Sequence, residues 1–312
     1  MRHPSPTLRP ALLRGILAST LALILGFSCA SPDPGGYGRS ALVIGIADYD
    51  DVSDLSYTDD DAREMAALLE GQGWDVMLLL DSQATKAGIQ AAIQSHFSGL
   101  GAGDTALLFY SGHGDAIGGT SYLAPWDTAW NQDSSLKLSS LISPQDISAW
   151  FFDGVATDNI IFIMDACNSG GFIPDSESLD AINPAYVPGF SPSTYVSPLR
   201  AFADLGDLLG RNAQAQGRAA PIVIAAAGSE ESSYEDDLHQ GIDLKLENGA
   251  FTYFLLEAAQ RGDGNGDGYV TATEAYTYAA RALDRYWNLR GGSSFHPHIS
   301  GGLRDLVLFG YE

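Results

Sequence analysis

The chain has 312 residues, enough for one large domain or two small ones, and its 45% hydrophobic content is that of a folded protein. Sixteen basic side chains against 39 acidic ones give a net charge of −23. Such a surface repels nucleic acid and excludes it as a partner, whereas it suits cationic substrates and divalent cations, although solubility alone would also account for it.

The N-terminus has the pattern of an export signal. Three arginines and no acidic residue precede an apolar stretch: Arg2, Arg9 and Arg14. The stretch itself, Ile16–Phe27, is shorter than the roughly 20 residues that a transmembrane helix needs. Residues 1–28 are therefore predicted to be a signal peptide.

The chain has two cysteines, Cys29 and Cys167. Leu25–Cys29 resembles a bacterial lipobox, whose cysteine is acylated after cleavage. This predicts lipidation at Cys29, a tether over residues 29–38, and a lipoprotein of the cell envelope that meets the membrane through its lipid alone; cleavage and secretion is the alternative. Cys167 then has no disulfide partner, and an exported protein usually retains such a thiol for chemistry or for pairing with another chain.

Almost wholly apolar runs follow the tether. A run that is apolar at every position suits a strand buried on both faces, and therefore a parallel sheet. The runs are Ala41–Ile46, Val76–Leu80, Ala106–Tyr110, Ile160–Met164 and Ile222–Ala227. Helical patterns occur at Asp59–Gln72, Lys86–Phe97, Pro144–Phe152, Phe251–Arg261 and Glu274–Trp287, and Leu306–Phe309 is a candidate final strand. This alternation predicts an α/β fold, an open and mostly parallel sheet with helices on both faces.

Two of these runs lead into glycine-rich segments with reactive side chains, Ser111-Gly112-His113-Gly114 and Asp165-Ala166-Cys167-Asn168-Ser169-Gly170-Gly171. Ligands in open α/β sheets bind beyond the carboxyl ends of strands, so His113 and Cys167 are expected to be neighbours. An adjacent imidazole activates a thiol as thiolate. The glycines would let a substrate backbone approach, and the amides of Gly114 and Cys167 could stabilise an oxyanion. Either residue alone is more often structural, but the pair in matching contexts indicates catalysis.

The same segments resemble those of caspase-like cysteine peptidases, and within them the bacterial relatives of metacaspases. Cys167 follows His113 by 54 residues, and Ala225–Glu230 and Asn248–Thr252 also match. The resemblance covers residues 39–312 and implies a cysteine endopeptidase with a caspase-like catalytic domain. Residues 39–174 would form its large-subunit-like half and residues 221–312 its small-subunit-like half.

The resemblance also implies a substrate class. Metacaspases cut after Arg or Lys, the residue called P1, and hold its side chain in an acidic pocket. The matching pocket positions here are Asp61, Ser111 and Asp165. Basic peptides or proteins are therefore the expected substrates, because paired carboxylates favour a cationic side chain. For Asp61, capping of the first helix is the alternative.

A second motif, residues 263–274, has the spacing of an EF-hand loop. Its candidate Ca²⁺ ligands are Asp263, Asn265, Asp267, the Tyr269 carbonyl, Thr271 and Glu274. We expect a structural calcium ion, which could also activate the enzyme; a turn without metal is the alternative. His296 and His298 are weak metal candidates and are expected in the loop before the last strand.

Residues 175–220, rich in Pro, Ser, Asp and Asn, are predicted to be a long surface linker. If maturation involves self-cleavage, Arg218 is the first candidate, then Arg211 and Arg200, and an uncut loop is the alternative. Rival functions are a legumain-like or gingipain-like peptidase of the same architecture, or a catalytically silent exported calcium-binding pseudopeptidase. The sequence leaves the oligomeric state open.

Overall fold

The chain folds into alternating strands and helices, shown by a computed structural model that describes residues 37–117, 120–167, 209–227, 233, 235–236, 247–288, 296–300 and 306–310. All of these belong to one unit, Ser31–Glu312. The strands are β1 (Arg39–Gly45), β2 (Asp75–Leu80), β3 (Thr105–Ile117), β4 (Thr120–Leu123), β5 (Asn159–Cys167), β6 (Ile222–Ala225), β7 (Glu235–Asp236), β8 (Asn248–Gly249), β9 (Tyr269–Thr271), β10 (His298–Ser300) and β11 (Val307–Gly310). The helices are α1 (Thr58–Gly71), α2 (Lys86–His96), α3 (Pro144–Phe152), α4 (Ala250–Arg261) and α5 (Ala272–Leu283), and residues 209–215 are helical as well.

The central sheet is mixed and mostly parallel, as the sequence predicts. In the described part of the chain it has seven strands, in the order β10-β6-β5-β3-β1-β2 with β4 beside β3. The neighbours from β6 to β2 pair in parallel, whereas β10 and β4 are antiparallel. This arrangement stabilises strands that are apolar at every position, because both of their faces are covered and removed from water.

Helices cover both faces of the sheet, and alternate residues of each strand point to opposite cores. On β1, Ala41 and Val43 lie in a core with residues of α1, α4 and α5. Leu42 and Ile44 lie in the opposite core, with residues of α2 and α3. At Gly45 a Cβ would meet the Thr58 carbonyl oxygen at 2.4 Å, so the close approach of α1 to β1 requires glycine.

Some elements differ from their predicted form. β3 continues to Ile117 because β4 pairs with its extension. His298 lies in β10, paired with Ala225, and not in a loop. The final strand exists, but β11 pairs with β9 outside the central sheet.

Part of the sequence-based reading lies outside the described residues: the signal peptide at 1–28, Cys29, and most of the linker, including Arg200. No helix within the described ranges is long and apolar enough to cross a membrane.

Candidate active site

The strand register brings His113 and Cys167 together. β3 and β5 pair in parallel from Thr105 opposite Asn159 to His113 opposite Cys167. The two runs are of equal length, so both reactive residues fall at the same level on adjacent strands, whose backbones lie about 4.8 Å apart. The predicted neighbourhood of the two residues follows from this register.

His113 is buried, with 2% of its surface exposed, and its ring is held at one end. Its Nε2 lies 2.8 Å from the backbone carbonyl oxygen of Ser53. A carbonyl can only accept a hydrogen bond, so Nε2 carries the hydrogen, and in the neutral ring Nδ1 is the basic nitrogen. Sequence reasoning missed Ser53, because a backbone carbonyl leaves no mark in the sequence.

The loop that carries Ser53, residues 46–57 between β1 and α1, is fastened by Asp81. One carboxylate oxygen of Asp81 accepts hydrogen bonds from the amides of Ala47 at 2.9 Å and Asp48 at 3.1 Å. Asp81 has φ = 44°, in the left-handed region that a residue with a side chain adopts at a cost. Such strain persists where the surrounding contacts fix it, and here those contacts anchor the loop beside His113.

The three predicted pocket residues form one buried cluster. Asp61 is 0% exposed and accepts a 2.8 Å hydrogen bond from the Ser111 hydroxyl. Asp165 is 4% exposed. A Cβ built at Gly249 would lie 2.7 Å from an oxygen of Asp165 and 2.9 Å from an oxygen of Asp61, so the two carboxylates lie close together beside that glycine.

Asp61 lies in the first turn of α1, and its carboxylate also bonds residues outside that helix. It accepts hydrogen bonds from Ser111 on β3 and from the amide of Gly249, the latter at 2.9 Å. These two contacts join the Asp61 side chain to the sheet and to β8.

Two residues from the later part of the chain, Ser233 and Thr252, hold Asp165. Its oxygens accept hydrogen bonds from the Ser233 hydroxyl at 2.5 Å, the Thr252 hydroxyl at 2.6 Å and the Thr252 amide at 3.2 Å. Burial raises the pKa of Asp165 above its usual range, and the bonds from Ser233 and Thr252 act in the opposite direction. The sequence assigned no role to Ser233 or Thr252. For Thr252, the available signal was its hydroxyl group, directly after Asn248-Gly249-Ala250-Phe251.

Gly112, the residue before His113, packs against two tyrosine hydroxyl groups. A Cβ at Gly112 would lie 2.7 Å from the Tyr49 hydroxyl oxygen and 2.8 Å from that of Tyr110. The expectation that this glycine admits a substrate backbone is therefore wrong. Gly114, a predicted oxyanion donor, lies on β3 opposite Leu123 of β4.

The predicted calcium loop, residues 263–274, folds around its own amides. Asp263 accepts hydrogen bonds from the amides of Gly266 and Gly268, and Glu274 accepts from those of Gly264 and Thr271. Gly268, at the sixth position, has φ = 87°, as the sharp turn of such a loop requires. Nowhere in the described ranges do three or more His, Cys, Asp or Glu side chains converge as a metal site, and this includes the loop and His296 and His298.

Arg218 is a structural residue. Its guanidinium bonds Asp158 at 2.7 Å and the backbone carbonyl oxygens of Thr157 and Phe152, and its side chain is 15% exposed. Arg218 therefore does not lie in the open loop that the sequence predicted. A protease could bind it only after these contacts had broken. Arg211 is exposed but helical.

Comparisons with known proteins agree with this fold. A family model described as the caspase domain matches residues 38–292. The crystal structure of protein GSU0716 from Geobacter sulfurreducens is similar to 85% of this chain and 95% of its own, with a TM-score of 0.50 and 18% sequence identity, which indicates a shared fold only. A search of curated protein sequences gives no significant match.

Proposed function

The chain belongs to the caspase-domain family of peptidases, and we propose that it is a cysteine endopeptidase that cuts the peptide bond after Arg or Lys. The observation that carries the proposal is the register that places His113 opposite Cys167, at the last pair of the parallel β3–β5 ladder. A histidine that is fixed through Nε2 and lies on the strand next to that of the cysteine would have its Nδ1 available to accept the thiol proton.

In the proposed reaction, Cys167 supplies the thiolate that attacks the carbonyl carbon of the scissile bond. Nδ1 of His113 takes the thiol proton and later donates it to the leaving amine, while Nε2 keeps its hydrogen bond to Ser53. The amides of Gly114 and Cys167 stabilise the oxyanion of the tetrahedral intermediate. Water, deprotonated by the same histidine, then hydrolyses the thioester and releases the free enzyme.

The P1 preference rests on Asp61 and Asp165. The donors described above for these carboxylates are neutral hydroxyl and amide groups. Two neighbouring buried carboxylates repel each other, and a guanidinium or ammonium bound beside them relieves that repulsion. Ser111 orients Asp61 within this pair.

A panel of peptide substrates tests the proposal. The full-length protein and its Cys167→Ala variant are assayed on fluorogenic peptides that differ only in P1: Arg, Lys, Asp and Asn. We expect turnover of the Arg and Lys peptides by the wild type, and a fall of at least about 1,000-fold in Cys167→Ala, because the nucleophile is lost.

Other outcomes favour the alternatives. Preference for P1 Asn would indicate a legumain-like enzyme, and preference for Asp would contradict the assignment of the acidic pocket. Binding of P1-Arg peptides without turnover would identify a pseudopeptidase.

We also propose that residues 263–274 bind Ca²⁺. The proposed ligands are all oxygen atoms, which suit this ion, and come from Asp263, Asn265, Asp267, the Tyr269 carbonyl, Thr271 and Glu274. Val270, at the apolar position of the loop, is fully buried in the core of α1, α4 and α5. A bound ion would tie α4 to α5 next to that core and stabilise the fold.

Export and lipidation at Cys29 remain part of the proposal. They rest on the three arginines and the apolar stretch at the N-terminus. A peptidase anchored at the cell envelope would meet basic peptides outside the cytoplasm.

A further inference from the structure

A pair of buried tyrosine hydroxyls lies against the backbone of His113, and we propose that Tyr49 and Tyr110 are positioning residues for that histidine. The inference rests on the proposed peptidase function, in which His113 transfers protons. It concerns the orientation of the imidazole, and it assigns neither tyrosine a contact with the substrate.

Tyr49 holds the amide side of His113. Its hydroxyl oxygen accepts a 2.8 Å hydrogen bond from the His113 N–H. The two rings also lie against each other, with centroids 4.9 Å apart and planes inclined by 39°. Tyr49 and Ser53 belong to the same loop, residues 46–57, so one loop holds the backbone of His113 at one point and Nε2 at another.

Tyr110 holds the carbonyl side. Its hydroxyl lies 2.8 Å from the carbonyl oxygens of both His113 and Ala124, to which it can donate. The Tyr49 hydroxyl lies 3.5 Å from that of Tyr110 and 3.4 Å from the same Ala124 carbonyl. Both peptide groups of His113 are thus joined to one buried hydroxyl pair.

Gly112 provides the space for this pair. Because a Cβ there would come within 2.8 Å of both hydroxyl oxygens, any larger residue would displace at least one of them. His113 is also the residue at which β3 leaves its pairing with β5 and begins to pair with β4. The hydroxyl pair therefore fixes the backbone where a change of partner strand would otherwise leave it free to turn.

A purely structural role would make the tyrosines stabilise the core without affecting proton transfer. The two possibilities differ in kcat and in the pH at which Cys167 reacts. Misaiming a catalytic group costs up to about 100-fold in rate even when the substrate still binds.

The test compares the full-length wild type with Tyr49→Phe and Tyr110→Phe, which remove one oxygen each and keep the ring. Tyr276→Phe is the matched control, because its hydroxyl also donates to a backbone carbonyl, that of Pro297, at 3.1 Å, from helix α5. We expect kcat on the P1-Arg peptide to fall about 10- to 100-fold in Tyr49→Phe, with KM within about twofold of wild type, and no change in kcat in the control.

The second readout needs no substrate. The rate at which iodoacetamide alkylates Cys167 is followed by peptide mass spectrometry as a function of pH, and we expect its midpoint to shift in Tyr49→Phe but not in Tyr276→Phe, because a displaced imidazole stabilises the thiolate less. If Tyr49→Phe shifts the alkylation midpoint and Tyr276→Phe does not, but the wild type turns over no peptide, the proposed function fails while the positioning role stands. A Tyr49→Phe protein with wild-type kcat and an unshifted alkylation midpoint overturns the positioning role.

Discussion

The carboxylate of Asp165 lies among hydroxyl and amide donors, with water largely excluded. In the proposed function its charged form would hold a cationic P1 side chain, and burial works against that form. Ser233 and Thr252 offset part of this cost because they bond the ionised oxygens. Asp61 also lies beside Gly249 and adds repulsion when both carboxylates are charged.

The pH dependence of cleavage should report the opposing effects of burial and hydrogen bonding on the pKa of Asp165. Because the pKa of Asp165 is raised, kcat/KM on the P1-Arg peptide should fall as the pH drops through that raised value, at a higher pH than an exposed Asp would give. Ser233→Ala removes a bond that lowers the pKa, so we expect the acidic limb to move to higher pH, with an increase in KM and little change in kcat at pH 8.

Ser148→Ala is the control, a buried serine on α3 that bonds Asn212. An acidic limb in Ser233→Ala that coincides with those of the wild type and the control would show that Asp165 does not hold the substrate.

At the level of elements, the loop at residues 263–274 is held in its middle as well as at its ends. β9 forms within it and pairs with β11, while α4 and α5 flank it. Glu274 also closes a capping box with Thr271 at the start of α5. The same carboxylate is therefore both a helix cap and the last proposed calcium ligand.

Thermal unfolding with and without calcium separates these two roles. We expect Ca²⁺ to raise the Tm of the wild type, because a ligand bound only by the folded state stabilises it in proportion to ln(1 + [Ca²⁺]/Kd). Glu274→Gln keeps a capping side chain but loses a charged ligand, so it should match the wild type in chelator and gain much less from calcium.

Glu70→Gln, an exposed change on α1, is expected to respond to calcium like the wild type. Equal melting temperatures of the wild type in calcium and in chelator would refute the calcium site.

At the scale of the whole molecule, the candidate site is assembled from distant parts of the chain. His113, Cys167, Asp61 and Asp165 come from the segment before residue 168, whereas Ser233, Gly249 and Thr252 come from after residue 227 and donate hydrogen bonds to the two carboxylates. The position of both carboxylates therefore depends on how these later residues pack against the sheet. The net charge of −23 would add a general attraction for the proposed basic substrates.

The anchor is tested on the intact protein in a bacterial host. We expect the wild type in the membrane fraction, with a mature N-terminus at Cys29 that carries the mass of its acyl chains. Cys29→Ala should lose the lipid and leave that fraction, because the predicted tether has no other membrane contact. Cys167→Ala should stay with the membrane as the matched cysteine control, and an unmodified Cys29 in the wild type would contradict lipidation.

The sequence alone determined the alternating elements and predicted the candidate dyad. The apolar runs of β1, β3, β5 and β6 mark strands buried on both faces, whereas that of β2 is half-buried. The equal lengths of Ala106–Tyr110 and Ile160–Met164 bring His113 opposite Cys167. The resemblance to metacaspases added the pocket residues, which the structure brings together. Local sequence patterns report burial and periodicity. They can therefore predict the helices and strands and the residues at the ends of those elements.

Only the tertiary structure decided which distant groups serve that site. Ser53 and Tyr49 reach His113 across about 60 positions of sequence, through a loop whose path depends on Asp81. Arg218, which the sequence placed in an open loop, is held by Asp158 and two carbonyls some 60 residues away. Each of these contacts joins side chains or carbonyls from separate elements, and no local pattern encodes such a pair, because the partner's place is set only when the sheet and its two cores have packed.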